Sequence, residues 1–212
     1  MSVVAVIGAG KLGGALARRA LAAGHEVRVA GRQDDAAFRA RVAAVAPGAE
    51  ARTTADAVAG ADVVVLALPL AQHTTLDPAL LAGHVVVDAM NDWPAAGPAG
   101  RSGGSSLRVQ DHLGGARLVK ALNHIGYHDL DDEPFDASPR RALALASDDA
   151  GAARTVARLL DSLGFDAVDA GPLARGDAFA LGTPVFSGRF DSDDLERLLA
   201  VPSGTVPALV AA

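Results

Sequence analysis

The chain has 212 residues, of which 50% are hydrophobic and 4% aromatic, and its formal net charge is −6. This composition excludes extensive disorder, and the length predicts a single core built from Ala, Val and Leu. The acidic balance argues against nucleic acid as a partner, and the absence of cysteine excludes disulfides, thiolate catalysis and cysteine-ligated metals.

Short apolar runs alternate with helical patterns along the chain. The predicted strands cover residues 3–7, 25–30, 50–52, 62–68, 84–88, 117–122, 141–146 and 165–168. The predicted helices cover residues 11–23, 34–46 with Asp34 as N-cap, a short stretch from Thr54 or Asp56 to Gly60, and residues 105–112, 149–163 and 192–200. This alternation predicts an α/β fold with a Rossmann-type, doubly wound, mostly parallel sheet.

No apolar run reaches the roughly 18 residues that a membrane span needs, so no membrane partner is expected. The first residues, MSVVAVIGAG, lack the basic start and the cleavage site of a signal peptide. We assign this apolar run to a strand and expect a cytoplasmic protein.

The first predicted turn reads Gly8-Ala9-Gly10-Lys11-Leu12-Gly13, a G-x-G-x-x-G pattern between a strand and a helix. In this context the pattern predicts a dinucleotide-binding loop. Gly8 permits the sharp turn, Gly10 lets a pyrophosphate approach the backbone, and Gly13 lets the helix pack on the strand. The N-terminus of the helix would offer its N–H groups to the phosphates. The alternative is a glycine-rich turn that binds nothing.

The end of the second predicted strand bears on the choice of dinucleotide. An NAD site usually places Asp or Glu there for the ribose 2′-hydroxyl, whereas this chain has Gly31-Arg32-Gln33. Arg32 is placed to bind a 2′-phosphate through charge-assisted hydrogen bonds, so the sequence favours NADP. Asp34 and Asp35 come too late in the chain and suit a helix start. The alternative for Arg32 is a solvated surface arginine.

We expect an NADP-binding Rossmann domain over residues 1–170 and a short C-terminal cap over residues 171–212 that is not an independent domain. The stretch from Ala89 to Gly104 is rich in Gly and Pro, holds the single tryptophan, Trp93, and predicts a functional or mobile loop. We expect the tail after Val201 to be frayed.

Five segments carry a wider resemblance. In chain order they read AVIGAGKLGGALARRALAAGHEVRVAGR, ADVVVLALP, VVVDAMN, RLVKALNHIGY and LALASDDAGAARTVARLLDSLGFDAVDAGPLARG. By these segments the chain resembles the coenzyme-F420-dependent NADP oxidoreductases and the broader family named after them. The resemblance implies hydride transfer between NADP and F420 or another flavin-like acceptor, in a site covered by the small C-terminal part. Such a reaction needs two rings held face to face, so no catalytic acid or base is assigned.

The resemblance also implies site residues. For the cofactor they are Gly8, Ala9, Gly10, Lys11, Leu12, Gly13, Gly31, Arg32, Gln33, Leu68, Pro69, His73 and Asn91. For the second substrate they are Asn123, His124 and Ile125, with the segment from Gly171 to Arg175 close by. Two stretches depart from the F420 enzymes: Leu70-Ala71 replaces a bulky aromatic expected after Pro69, and LGTPVFSGRF near the C-terminus differs.

Several polar residues have an ordinary structural interpretation beside a functional one. His25 and His84 are expected to be capping or surface residues, and His124 is either a loop histidine or a substrate contact. The acidic run from Asp129 to Glu133 predicts a solvated loop, and Ser105 and Ser106 are expected to cap a helix.

Charged groups near the expected substrate pocket leave alternatives open. An anionic substrate tail could be received by arginines that are otherwise ordinary surface charges: Arg140, Arg141, Arg175 and Arg189. A metal site built from His124, His128, Asp129 and Asp131 has no recognised ligand spacing, so no metal is predicted.

Two further functions stay open at this point. The first is an NADP-dependent reductase of a small carbonyl or imine, whose relatives usually carry a long helical C-terminal domain. The second is a regulatory module that holds NADP without turnover. In either case the expected partner is a small molecule, and an alanine-rich domain of this size is also compatible with a homodimer.

Overall fold

The computed structural model describes residues 1–93, 104–186 and 188–200. Its strands are β1 Val3–Ile7, β2 Glu26–Ala30, β3 Glu50–Arg52, β4 Val63–Leu66, β5 Val85–Asp88, β6 Arg117–Lys120, β7 Ala142–Leu145 and β8 Asp166–Asp169. Its α-helices are α1 Lys11–Ala22, α2 Ala36–Val45, α3 Thr54–Val58, α4 Pro78–Leu81, α5 Ser105–Leu113, α6 Tyr127–Asp132, α7 Ala150–Ser162 and α8 Ser192–Ala200. Two 3₁₀ helices cover Leu70–Thr75 and Leu173–Phe179.

Strands β1 to β6 form a six-stranded parallel sheet in the order β3-β2-β1-β4-β5-β6. The order reverses between β1 and β4, which is the switch point where open α/β sheets bind ligands. A second parallel pair, β7 and β8, is linked to β6 by an antiparallel bridge between Lys120 and Ala146. The predicted Rossmann-type, doubly wound α/β fold is confirmed.

The central strands are buried on both faces. Every residue of β4 and β5 is buried, as expected for parallel strands covered by helices on both sides. In β1, Val4 and Val6 belong to the cluster that also contains buried residues of α1 and α7. Ala5 and Ile7 belong to the opposite cluster, together with buried residues of α5. The period-two alternation of β1 therefore divides its side chains between two helical layers.

The cap of α2 differs from the prediction by one residue. Asp35, not Asp34, is the N-cap, and its side chain accepts a hydrogen bond from the Phe38 N–H at 2.8 Å. Asp34 instead accepts two hydrogen bonds from Arg39, at 2.8 and 2.9 Å. The prediction of Asp34 was wrong because both aspartates suit a cap by sequence, and only the backbone conformation selects one.

The acidic run that predicted a solvated loop forms helix α6, which packs against α1. Three of its four carboxylates have arginine partners: Asp131 binds Arg18, Asp129 binds Arg141, and the buried Glu133 binds Arg189. Because those arginines come from distant parts of the chain, the run alone does not reveal them. The 3₁₀ helix after Pro69 and the four-residue α4 also fall in a stretch for which no element was predicted.

The C-terminal part packs beside the second strand pair. Leu195, Leu198 and Leu199 of α8 share a buried cluster with Ala142 and Val168 of β7 and β8. The division at residue 170 stays a prediction. The centre of the predicted loop, residues 94–103, and the tail from residue 201 lie outside the described residues. In the described part of the chain, no helix is both long and apolar enough to cross a bilayer.

Candidate functional site

The glycine loop connects β1 to α1 at the switch point. A side chain on Gly8, whose φ is +123°, would place its Cβ 2.3 Å from the Ala67 carbonyl oxygen. A Cβ on Gly13 would lie 1.9 Å from the Gly8 carbonyl oxygen. Gly10 is different, because a Cβ there would meet no atom within 4 Å. This geometry agrees with the three expected roles, which are a sharp turn, an open approach and close helix packing.

The N-terminus of α1 is suited to an anion. Gly10 is its N-cap, no side chain caps the helix, and its first turn contains no acidic residue. The first-turn N–H groups and the positive end of the helix dipole thus face the open space at Gly10. These features fit the pyrophosphate of a dinucleotide.

The end of β2 offers a cation with no competing carboxylate. Arg32 is exposed and has no hydrogen bond or ion pair with the described residues. Asp34 is held by Arg39, and Asp35 caps α2, so both nearby carboxylates are engaged. At Gly31 a Cβ would lie 2.4 Å from the Phe38 ring, so a side chain there would require that ring to move. The free guanidinium fits a 2′-phosphate.

A cleft of about 470 Å³ opens at the carboxyl ends of β1, β4, β5 and β6. Its lining is mostly apolar and comes from well-separated parts of the chain. The lining residues are Gly10, Lys11, Leu12, Ala67, Leu68, Pro69, Ala89, Met90, Asn91, Trp93, Asn123, Ile125, Gly126, Tyr127 and Phe186. The structure therefore brings together eight of the predicted site residues: Gly10, Lys11, Leu12, Leu68, Pro69, Asn91, Asn123 and Ile125.

Two asparagines are held rigidly at the base of the cleft. The Asn91 side-chain amide donates to the Asn123 carbonyl oxygen at 2.7 Å. The Asn123 side-chain amide in turn donates to the Phe179 carbonyl oxygen at 3.1 Å. These bonds connect the ends of β5 and β6 to the 3₁₀ helix Leu173–Phe179.

His124 does not face the cleft. It is 2% exposed, its Nε2 accepts a hydrogen bond from the Ala144 N–H at 3.0 Å, and its ring lies 5.0 Å from that of Phe179. Burial, together with the charges of Arg141 and Lys120, lowers the pKa of His124 to about 3. The ring is thus a neutral core group, which corrects the expectation that it contacts substrate.

Other predicted positions lie outside the cleft. The His73 ring bonds the Leu70 carbonyl oxygen at 2.7 Å and packs edge-on against His112, so it does not reach the lining. Gly31, Arg32 and Gln33 lie beyond β1, at the end of β2. Their roles in binding stay predictions.

A buried ion pair supports the floor of the cleft. Asp88 and Lys120 are 0% and 2% exposed, and their side chains lie 3.3 Å apart. Asp88 also accepts from the Met90 N–H at 3.0 Å and from the Ser106 hydroxyl at 2.8 Å, while Lys120 donates to the Met90 carbonyl oxygen at 2.6 Å. Both polar groups of the Met90 backbone are therefore fixed by the pair. In the sequence, this ion pair is indicated only by a charged residue at the end of each of two apolar strands.

Several structural expectations need correction. His25 is buried at the start of β2, where it accepts from the Ser2 N–H at 3.2 Å and bonds Ser162 at 2.8 Å. Gly104, not Ser105 or Ser106, is the N-cap of α5. Arg141, considered a surface charge, is 2% exposed.

The four residues considered for a metal site are not brought together. His124 lies in the core, Asp129 binds Arg141 and Asp131 binds Arg18. His128 is exposed, and its ring packs on that of Tyr127 with centroids 4.0 Å apart.

Comparison with known proteins finds one family match and several similar solved structures. Residues 3–92 match the family described as NADP oxidoreductase coenzyme F420-dependent. A solved hypothetical protein from Sinorhizobium meliloti is 34% identical, with a TM-score of 0.78, and the alignment covers 90% of this chain and 96% of that one. A candidate F420-dependent NADP reductase from Arthrobacter sp. FB24 is 28% identical, with a TM-score of 0.71 and coverages of 84% and 88%.

The chain is an NADP-dependent oxidoreductase in which residues 3–92 match the F420-dependent family. This oxidoreductase shares its fold more widely: an imine reductase from Bacillus cereus is 22% identical, with a TM-score of 0.60. The alignment covers 82% of this chain but 56% of that enzyme. No curated protein is significantly similar to the oxidoreductase in sequence. The family match confirms the resemblance and covers the first three of the five segments that carried it.

Seven residues of the lining were not among the predicted site residues: Ala67, Ala89, Met90, Trp93, Gly126, Tyr127 and Phe186. Met90, Trp93 and Tyr127 flank predicted positions in the sequence, whereas Phe186 is far from any of them. Trp93 carried a signal, as the single tryptophan in a loop that follows a strand end. Phe186 lies in a stretch that was distinguished only by its departure from the family.

Proposed function

We propose that this oxidoreductase transfers a hydride between NADP and a flat, flavin-like ring, either F420 or another flavin. The observation that carries the proposal is the cleft itself, which joins the glycine loop to an apolar wall at the switch point. Of the lining residues in the described part of the chain, only Lys11 and Tyr127 are ionisable. Such a site suits a reaction whose chemistry resides in two rings.

The residues present fit NADP at two separated points. The first-turn N–H groups of α1 would hold the pyrophosphate above Gly10, and Arg32 would bind the 2′-phosphate. When bound, the reduced nicotinamide supplies the hydride.

The remaining contribution of the chain is orientation and exclusion of water. Pro69, Met90 and Ile125 give the cleft apolar walls, and the bonded pair Asn91–Asn123 keeps the strand ends fixed. Holding two rings in one orientation converts a bimolecular step into an effectively unimolecular one. A dry cleft also protects the hydride donor from side reactions.

The cofactor assignment is tested by titrating NADPH and NADH into wild-type protein and the Arg32→Ala variant. We expect the Kd for NADPH to rise by roughly 10- to 100-fold in the variant, since a charge-assisted hydrogen bond is lost, and the Kd for NADH to stay unchanged. The matched control is Arg41→Ala, which removes another exposed arginine on α2 and should leave both affinities unchanged. Equal NADPH affinity in Arg32→Ala would contradict the assigned site.

The acceptor is tested by following NADPH oxidation at 340 nm with F420, FMN and riboflavin, one at a time. Turnover of at least one of these rings is the expected result. Tight NADPH binding with no oxidation by any ring would overturn the proposed reaction and favour a regulatory NADP-binding module.

One contact favours a second candidate, reduction of a small carbonyl or imine. The Tyr127 hydroxyl lies 3.3 Å from the Lys11 ammonium, and both side chains line the cleft. A hydroxyl in this place could give a proton to the reduced oxygen or nitrogen. Turnover of a ketone and imine panel that is lost in Tyr127→Phe would support this candidate, whereas hydride transfer to a flavin-like ring should survive the change.

A further inference from the structure

Trp93 occupies an unusual place for a large aromatic side chain. It is 63% exposed and lies just beyond the end of β5. The other large hydrophobic residues that are exposed in the described part of the chain, Met1, Leu107 and Phe135, do not line the cleft. An exposed aromatic surface at a cavity is a common mark of a ligand-binding site.

Phe186 completes an aromatic corner with Trp93. Their ring centroids lie 6.0 Å apart and their planes meet at 78°, in an edge-to-face arrangement. Both rings line the same cleft as Leu12 of the glycine loop. A flat ring can lie against one face of this corner while its edge meets the other, as aromatic groups prefer.

The charges around the cleft bear on whether the acceptor is bound through an anionic tail. The four arginines that could have received an anionic tail are all engaged: Arg140 with Asp161, Arg141 with Asp129, Arg175 with the Leu199 carbonyl oxygen and Arg189 with Glu133. None of them lines the cleft. Among the described residues of the lining, Lys11 is the only cation, and it stands at the α1 N-terminus where the pyrophosphate is expected.

We infer that Trp93 and Phe186 form the wall that binds the acceptor ring, and that the acceptor is recognised by its fused ring system and not by an anionic tail. This inference rests on the proposed hydride transfer to a flavin-like ring and names the part of the acceptor that the chain recognises. The net charge of −6 acts in the same direction, because it disfavours a polyanionic tail.

The test uses two pairs of acceptors that differ only in the tail. The flavin pair is riboflavin and FMN, and the deazaflavin pair is F420 and its core ring without the phospholactyl-glutamyl tail. In wild-type protein we expect KM values within about threefold inside each pair, since the tail adds no contact. A KM at least about tenfold lower for the tailed member of both pairs would overturn the conclusion about the tail.

The wall is tested with Trp93→Ala and Phe186→Ala, and with Phe135→Ala as a control that removes an exposed aromatic ring outside the cleft. Loss of one stacking surface should raise KM for riboflavin by about tenfold with kcat nearly unchanged. NADPH affinity, measured by calorimetry, should stay at the wild-type value in all three variants, which also shows that they are folded. The control should keep the wild-type KM.

A binding measurement tests the wall of Trp93 and Phe186 independently of turnover. Riboflavin cannot react when it is titrated into NADP⁺-saturated wild-type protein. Its binding should quench the fluorescence of the single tryptophan. Calorimetry should show weaker binding of riboflavin to Phe186→Ala than to the wild type. If the wild type neither binds nor reduces any of the four rings, the proposed function fails. If the wild type reduces a ring and both alanine variants keep its KM within about twofold, only the wall assignment fails.

Discussion

The two halves of the candidate site are built by different means. On one side, the dinucleotide half, meaning the loop from Gly8 to Gly13 together with Arg32 outside the cleft, relies on backbone groups, missing side chains and one exposed cation. On the other side, the acceptor half, meaning Met90, Trp93, Asn123 and Phe186, relies on side chains that come from strand ends and from the C-terminal part. The first half is a local structure, whereas the second exists only when distant segments have packed.

The buried polar groups that support the site lie beneath the acceptor half. Met90 is held by the buried pair of Asp88 and Lys120, and Asn123 is followed by the buried, neutral His124. A charge or a titratable ring in the core is costly unless its partners stay in place. The dinucleotide half contains no such group, so the two halves should respond differently to substitution and to pH.

The largest effect is expected from Lys120→Met. This change leaves the Asp88 carboxylate buried without its cation, and we expect the free energy of unfolding to fall by about 3–5 kcal/mol in urea denaturation. The control is Arg117→Met on the same strand, whose partner Asp149 is partly exposed. Arg117→Met should stay close to wild type, because screened surface pairs contribute little. Equal stability of the two variants would show that the buried pair does not stabilise the fold beneath the acceptor half.

In the dinucleotide half, two neighbouring glycines should separate folding from binding. Gly13→Ala forces its Cβ against the Gly8 carbonyl oxygen, so we expect a loss of about 1–3 kcal/mol or more in the free energy of unfolding. Gly10→Ala meets no atom and should keep wild-type stability while weakening NADPH binding by at least about tenfold. Thermal denaturation and calorimetry measure the two effects. Wild-type NADPH affinity in a folded Gly10→Ala would argue against pyrophosphate at this position.

The pH dependence of stability should come in part from the acceptor half. The pKa of His124 is about 3 in the folded chain and near 6.5 when unfolded, so below pH 6.5 the unfolded state binds a proton that the folded state refuses. The stability that this pKa difference of His124 contributes is therefore fully present above pH 6.5. It is lost as the pH falls towards 3, and the loss is roughly 2–3 kcal/mol between pH 7.5 and 4.5. Burial also lowers the pKa of His25, which adds a slope of the same sign.

Urea denaturation of wild type and His124→Gln at pH 7.5 and 4.5 measures this contribution. The variant cannot take up the proton, so its loss of stability over this range should be clearly smaller than that of the wild type. An unchanged loss would mean that His124 does not drive the acid sensitivity.

The smallest expected effect concerns the cap beside Arg32. Asp35→Ala removes the bond to the Phe38 N–H and should lower the free energy of unfolding by about 1 kcal/mol. NADPH affinity should be unaltered, because Asp35 acts on α2 and not on the phosphate. A marked change in NADPH affinity would show that the cap and the phosphate site are coupled, and the dinucleotide half would then be less local than described.

The contrast also explains how far prediction from sequence could go. Strands β1 and β3 and helix α8 lie where the patterns placed them, since each is decided by neighbours in the chain. The acidic run at α6 was misassigned because its arginine partners, Arg18, Arg141 and Arg189, lie elsewhere in the sequence. The orientation of His124 was missed for the same reason, as its partner is a backbone N–H of β7.

The sequence by itself determined the alternation of strands and helices and the glycine loop, because strand periodicity, turn glycines and helix starts act over a few residues. It also placed Arg32 beside that loop and pointed to the family. Tertiary structure alone decided which side chains meet at the acceptor end, where Trp93 and Phe186 come into contact across 93 residues of chain. That contact and the buried pair of Asp88 and Lys120 arise from packing between distant segments, which no local pattern encodes.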